Sequence, residues 1–105
     1  MIWRIRERSA FTRLAHEGKR TRAGVLWCTY VPDPDAMPPR VAYALGRAIG
    51  PAVVRNRLRR RLQALLASSC LPAGLYLIGA RPIAAQRSSA ELAFDLRQLV
   101  ASVRD

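Results

Sequence analysis

The chain has 105 residues, half of them hydrophobic and 24% charged, with eighteen basic residues against seven acidic ones and a formal net charge of +11. This length suits one domain, residues 1–105, that buries about two-thirds of its unfolded surface, and it excludes two independent cores. The apolar content excludes a disordered basic tail, so the charge sits on a folded surface and calls for a polyanionic partner.

A basic entry segment, Arg4, Arg6 and Arg8, leads to Ser9, which can cap a short helix over 9–17. Phe11, Leu14 and Ala15 share one face of that helix and Gly18 stops it. From Thr21 to Val31 the run Val25, Leu26, Trp27, Cys28, Thr29 and Tyr30 has strand propensity, with room for one more short strand near Arg20–Ala23. A Pro-rich loop, 32–39, follows. Val41, Tyr43, Leu45 and Arg47 then alternate with Ala42, Ala44 and Gly46, a period of two that predicts a second strand, paired antiparallel with the first.

Gly50-Pro51 opens a long helix running to about Ser69, with Pro at a first-turn position where its missing N–H costs nothing. At about 100° per residue, Val54, Leu58, Leu62, Leu65 and Leu66 fall within one arc, while Asn56, Arg57, Arg59, Arg60 and Gln63 occupy the rest and Arg55 and Arg61 flank the stripe. Five arginines in seven residues repel one another unless an anion relieves them. Leu75–Ala80 is a short apolar run that reads as a buried strand, ended by Arg81-Pro82. Ser88 and Glu91 form a capping box for a closing helix whose buried face carries Leu92, Leu96, Leu99, Val100 and Val103. The order α-β-β-α-β-α indicates an α+β fold with three helices.

The cations are unevenly placed. No Asp or Glu occurs between Asp35 and Glu91, whereas nine arginines do. A merely solvated face would interleave both signs. No apolar run approaches the roughly 18–20 residues that span a bilayer, and the first eight residues lack the apolar core of a signal peptide. The expectation is a cytoplasmic protein with no membrane partner. Cys28 and Cys70 are isolated, without CxxC or Cys/His spacing, and read as buried free thiols rather than a disulfide or metal site.

Self-contained catalysis has no visible machinery. The only histidine is His16, the carboxylates are scattered, and no Walker loop, GxGxxG, HExxH or GxSxG occurs. Binding is therefore the indicated activity, with no catalytic residue and no protein-held metal. Charge alone does not separate DNA from RNA, because phosphate contact is independent of sequence. Phe11, Trp27, Tyr30 and Tyr43 could stack on unpaired bases, which favours single-stranded RNA, although each also suits a core position.

Two stretches are more specific. Arg40-Val-Ala-Tyr-Ala-Leu-Gly-Arg47, followed by Ile49-Gly-Pro-Ala-Val-Val-Arg-Asn-Arg-Leu-Arg-Arg60, resembles the signature of the bacterial ribonuclease P protein family. The spacing from Phe11 to Gly18 and the apolar strand ending in Arg81-Pro82 fit the same family, so the resemblance covers nearly the whole chain. It implies an α+β two-layer sandwich with a central, mostly antiparallel sheet, three helices and a left-handed βαβ crossover, like a ribosomal-protein domain.

The resemblance also implies a role beside a catalytic RNA that removes the 5′ leader of precursor tRNA with Mg²⁺, the metal acting through the RNA and none being bound by the protein alone. Arg47, Arg55, Asn56, Arg57, Arg59, Arg60 and Arg61 would then contact the catalytic RNA. A leader cleft would hold Phe11, with Trp27, Tyr30 and Tyr43 as further candidates. The implied partners are that RNA and precursor tRNA, with no obligate protein partner. Some positions depart from the family pattern: Ala15 replaces a bulky residue, Gly46-Arg47-Ala48 keeps one cation of two, Pro51 replaces Asn, and Gln63 stands where a further Arg is common. The competing reading is a ribosomal-type RNA-binding protein without a part in cleavage, and a third is a DNA-compacting protein. Neither predicts the Arg-Asn-Arg signature together with the Phe11–Gly18 spacing.

Overall fold

The computed structural model describes residues 1–104. Five strands and three helices follow one another along it: β1 Trp3–Arg4, α1 Arg8–Glu17, β2 Lys19–Ala23, β3 Leu26–Pro32, β4 Arg40–Ala44, α2 Ala52–Ala67, β5 Gly74–Ala80 and α3 Ser89–Arg104. Short 3₁₀ turns at Arg47–Ile49 and Pro82–Gln86 lead into α2 and α3.

One sheet has the order β1-β4-β5-β3-β2. It is mixed: β2 and β5 run antiparallel to β3, while β4 runs parallel to β5 and to β1. The expected antiparallel pairing of the 21–31 and 41–47 segments does not form, because β5 lies between β3 and β4. The reason is burial. Gly74–Ala80 is almost entirely buried, and such an apolar strand gains most at the centre, where both faces are covered. Strand β4 ends at Ala44 rather than Arg47, so Leu45 lies past its end and Arg47 begins a turn. β4, α2 and β5 form a parallel βαβ unit.

The 21–31 segment is two strands. Ala23 pairs with Leu26 across the two-residue loop Gly24-Val25, where Gly24 has φ +59°, the backbone demanded at the first loop position of a II′ hairpin. Asp95 of α3 accepts a hydrogen bond from the Val25 N–H at 3.1 Å and fixes this loop to the helix layer. β1 pairs with β4, a long-range parallel match that local periodicity does not announce.

Helix starts differ in how they are capped. α1 begins one residue before Ser9, with Glu7 at the N-cap and no side-chain cap, so Ser9 lies inside the first turn. α3 carries the expected box: the Glu91 carboxylate accepts from the Ser88 N–H at 2.9 Å, and Ser88 Oγ accepts from the Glu91 N–H at 3.1 Å. These bonds hold the Glu91 carboxyl below its ordinary range. α2 has Pro51 at its N-cap rather than inside the first turn, and ends at Ala67.

Apolar residues divide between the two sheet faces. Val41, Tyr76, Ile78, Leu26 and Cys28 meet Leu58, Leu62 and Leu66 of α2 and Leu92, Leu96 and Leu99 of α3. On the other face a smaller cluster joins Ala10 and Leu14 of α1 to Ile5, Val31, Ala36 and Leu75. Cys28 is buried, and burial pushes its thiol up to about 12, whereas Cys70 is exposed, contrary to the expectation for both thiols. Cys70 follows the end of α2, where no second layer covers it.

Candidate nucleic-acid interface

Packing of Leu58, Leu62 and Leu66 against the sheet turns the opposite side of α2 to solvent. Asn56, Arg57 and Arg60 are exposed, and Arg55, Arg59 and Arg61 are partly buried along the borders of the stripe. None of these five arginines lies within salt-bridge distance of a carboxylate among the described residues; the four ion pairs use Arg13, Arg40 and Arg87. The N-terminus of α2 has neither a side-chain cap nor an acidic first turn, so the positive helix end adds to the field.

Asn56 organises this face. Its Oδ1 accepts from Arg59 Nη1 at 2.6 Å and its carbonyl accepts from Arg60 Nε at 3.5 Å, so one short polar residue orients two arginines on the following turn. Arg61 donates to the Arg87 carbonyl and leans back toward the turn before α3. Arg55 Nε is buried without a hydrogen-bond partner. Arg47, exposed in the 3₁₀ turn, stands at the entrance to the same helix.

A second surface lies on the α1 side of the sheet. Strand alternation places Trp27, Thr29 and Val31 of β3 on one face, together with their partners Gly79, Leu77 and Leu75 and, on β2, Arg22 and Arg20. α1 covers the Leu75 and Val31 end, leaving the Trp27 end without a helix. Any side chain at Gly79 would collide with the Trp27 ring, so this glycine lets the indole lie flat over β5. The Arg20 guanidinium stacks on that ring, 4.3 Å from its centroid. Phe11 stays 43% exposed on α1. Arg13 of the same helix donates to Asp33 at 2.7 Å, which ties α1 to the loop after β3 and holds the Asp33 carboxyl below its ordinary range.

Between these surfaces, at the β1 edge, is an open cavity of about 1100 Å³ whose wall includes Trp3, Phe11, Ala42, Tyr43 and Arg59. Phe11 reaches it from the α1 side and Arg59 from the α2 side. Burial pushes the Tyr43 hydroxyl up to about 12 against the pull of Arg59.

The four candidate aromatics are therefore not gathered on one surface. Phe11 and Trp27 belong to the α1 side, whereas Tyr30 and Tyr43 pack against the helix-side core. Tyr30 stacks on Tyr76, with ring centroids 6.2 Å apart. Tyr43 meets Phe11 only across the edge cavity. Trp27 and Tyr30 are three residues apart on a strand, so period-two alternation already sets them on opposite faces. The aromatic count missed Trp3, Arg20 and Arg22; the alternation of Arg20 and Arg22 along β2 was the available signal.

No group of three or more His, Cys, Asp or Glu among the described residues could hold a metal ion, and no described helix is long and apolar enough to cross a membrane. The ribonuclease P family model matches residues 2–104. The ribonuclease P protein component of Acidothermus cellulolyticus is 37% identical over 103 residues, covering 93% of this chain and 85% of that protein. The solved ribonuclease P protein of Staphylococcus aureus has the same fold, with a TM-score of 0.83 at 19% identity and 98% of both chains covered. That of Thermotoga maritima gives 0.83 at 19%, covering 95% of this chain and 96% of the other. Matched by that family across nearly its whole length, this chain belongs to the bacterial ribonuclease P protein family, as a protein subunit of the endoribonuclease that matures tRNA.

Proposed function

We propose that residues 1–105 act as one ribonuclease P protein domain that docks on the catalytic RNA through Arg47, Arg55, Asn56, Arg57, Arg59, Arg60 and Arg61. The observation that carries this reading is the outward face of α2, where five arginines have no carboxylate partner among the described residues and Asn56 orients two of them. Such a face relieves its own repulsion by taking up phosphates. The 5′ leader of precursor tRNA runs over the α1 side of the sheet, where Phe11 and Trp27 offer stacking surfaces and Arg20 and Arg22 offer charge.

Cleavage chemistry falls to the RNA, which brings its own Mg²⁺. What this chain supplies is charge neutralisation and a hold on substrate. The purified protein is expected to lower the Mg²⁺ concentration at which a bacterial ribonuclease P RNA cuts precursor tRNA. No stimulation anywhere in a Mg²⁺ titration would refute the reading. Phe11→Ala is expected to narrow the preference for precursor over mature tRNA. Because Phe11 is exposed, its loss should leave the melting temperature nearly unchanged, and equal weakening for both RNAs would remove Phe11 from the leader path.

A further inference from the structure

Helix α3 carries two stripes at helical spacing. Leu92, Leu96 and Leu99 form the first and are buried against the sheet. On the opposite side Ala90, Phe94, Arg97 and Ala101, spaced i, i+4, i+7 and i+11, are all exposed. Phe94 is 55% exposed, more than Trp3 at 49% or Phe11 at 43%. This outer stripe belongs to neither surface proposed above.

Its charge is one-sided. Arg97 lies within salt-bridge distance of no carboxylate among the described residues. Glu91 and Asp95, the acidic residues of α3, are both engaged inside the chain: Glu91 accepts from the Ser88 N–H and the Arg87 guanidinium, and Asp95 accepts from the Val25 N–H. Gln98, exposed one turn from Phe94, adds an amide with both a donor and an acceptor. Position in the fold matters as well. α2 and α3 pack side by side on one face of the sheet, whereas α1 covers part of the other. Phe94 and Arg97 therefore lie on the side of the cationic α2 face, away from α1.

One ring and two alanine methyls are too little for a protein partner, since a stable protein interface buries roughly 800 Å² on each side and an aromatic side chain supplies at most about 250 Å². A second copy of this chain, itself carrying +11, would also set arginine against arginine. A single unpaired base needs only a ring to stack on and a cation for its phosphate. We propose that the outer face of α3 binds an unpaired nucleotide of the catalytic RNA, its base stacked on Phe94 and its phosphate held by Arg97. The inference rests on the docking of α2 given above and extends that contact to a second helix, so that the protein grips a loop or bulge beside the segment held by α2.

The test is assembly of the full chain with a bacterial ribonuclease P RNA, measured by filter binding across a salt series. Phe94→Leu keeps an apolar side chain but removes the ring, and is expected to weaken assembly about tenfold; Phe94→Tyr keeps the ring and is expected to bind like the unaltered protein. Arg97→Gln is expected to make the log–log salt slope shallower by about 0.7. Both sites are exposed, so these changes should leave the melting temperature nearly unchanged. Equal affinity of Phe94→Leu and the unaltered protein would overturn the proposal, as would a loss confined to precursor tRNA binding by the assembled holoenzyme. Self-association of the free protein that Phe94→Leu abolishes, with RNA affinity unchanged, would assign the face to a second copy instead. Arg55→Ala with Arg57→Ala, run in parallel, separates the two readings: if that variant also assembles normally the docking of α2 has failed, and if it alone is weakened only the α3 contact has.

Discussion

Replacing Arg55 and Arg57 together by alanine is expected to weaken binding to ribonuclease P RNA on the order of a hundredfold or more. Each lost hydrogen bond to a charged group contributes about 1.5–3 kcal/mol, and every 1.4 kcal/mol is a factor of ten. Salt dependence gives the more specific signature. Five phosphate contacts along α2 correspond to a log–log slope near about −3.5 by the single-strand rule, and removing two should bring it to about −2.1. Thermal melting of the double variant controls for Arg55, whose partly buried guanidinium also packs at the border of the helix. An unchanged slope would show that these side chains do not touch phosphate.

Leu62→Ala is expected to cost about 2–5 kcal/mol, because Leu62 is 1% exposed and its neighbours Leu58 and Leu66 are held by the sheet and cannot collapse into the vacated space. For a domain of this size that is a fall in melting temperature of about 10 °C or more, readable by circular dichroism. Arg60→Ala, on the opposite side of the same helix, should move the melting temperature by far less, since it removes a mostly solvated side chain. Equal effects of the two substitutions would mean that α2 does not dock through the Leu58–Leu62–Leu66 stripe. The contrast matters for function, because that stripe is what turns Asn56, Arg57 and Arg60 outward.

Local patterns were legible wherever they repeat within one element. The spacing of Leu58, Leu62 and Leu66 set both the existence of α2 and which of its faces is cationic. Ser88 and Glu91 set the start of α3, because the two bonds of a capping box close within four residues. Gly18 ended α1 as expected. The start of α1 was less legible, since Glu7 occupies the N-cap without a side-chain bond and a better capping residue lies two positions on.

Sequence by itself thus determined the class of fold, the helix with one cationic face and, through the Arg-Asn-Arg signature, the family. Tertiary structure alone decided strand order, because pairing β5 between β3 and β4 and adding β1 at the edge depend on total burial across the sheet rather than on any local period. It also decided which parity of each strand faces the helices. Alternation separates Trp27 from Tyr30, but only the packing of α2 and α3 puts Tyr30 and Tyr43 on the helix side and leaves Trp27 on the side that α1 covers in part. The edge cavity belongs wholly to this second level, since Trp3, Tyr43 and Gln63 are brought together by a parallel strand match and a helix crossing that span sixty residues of sequence.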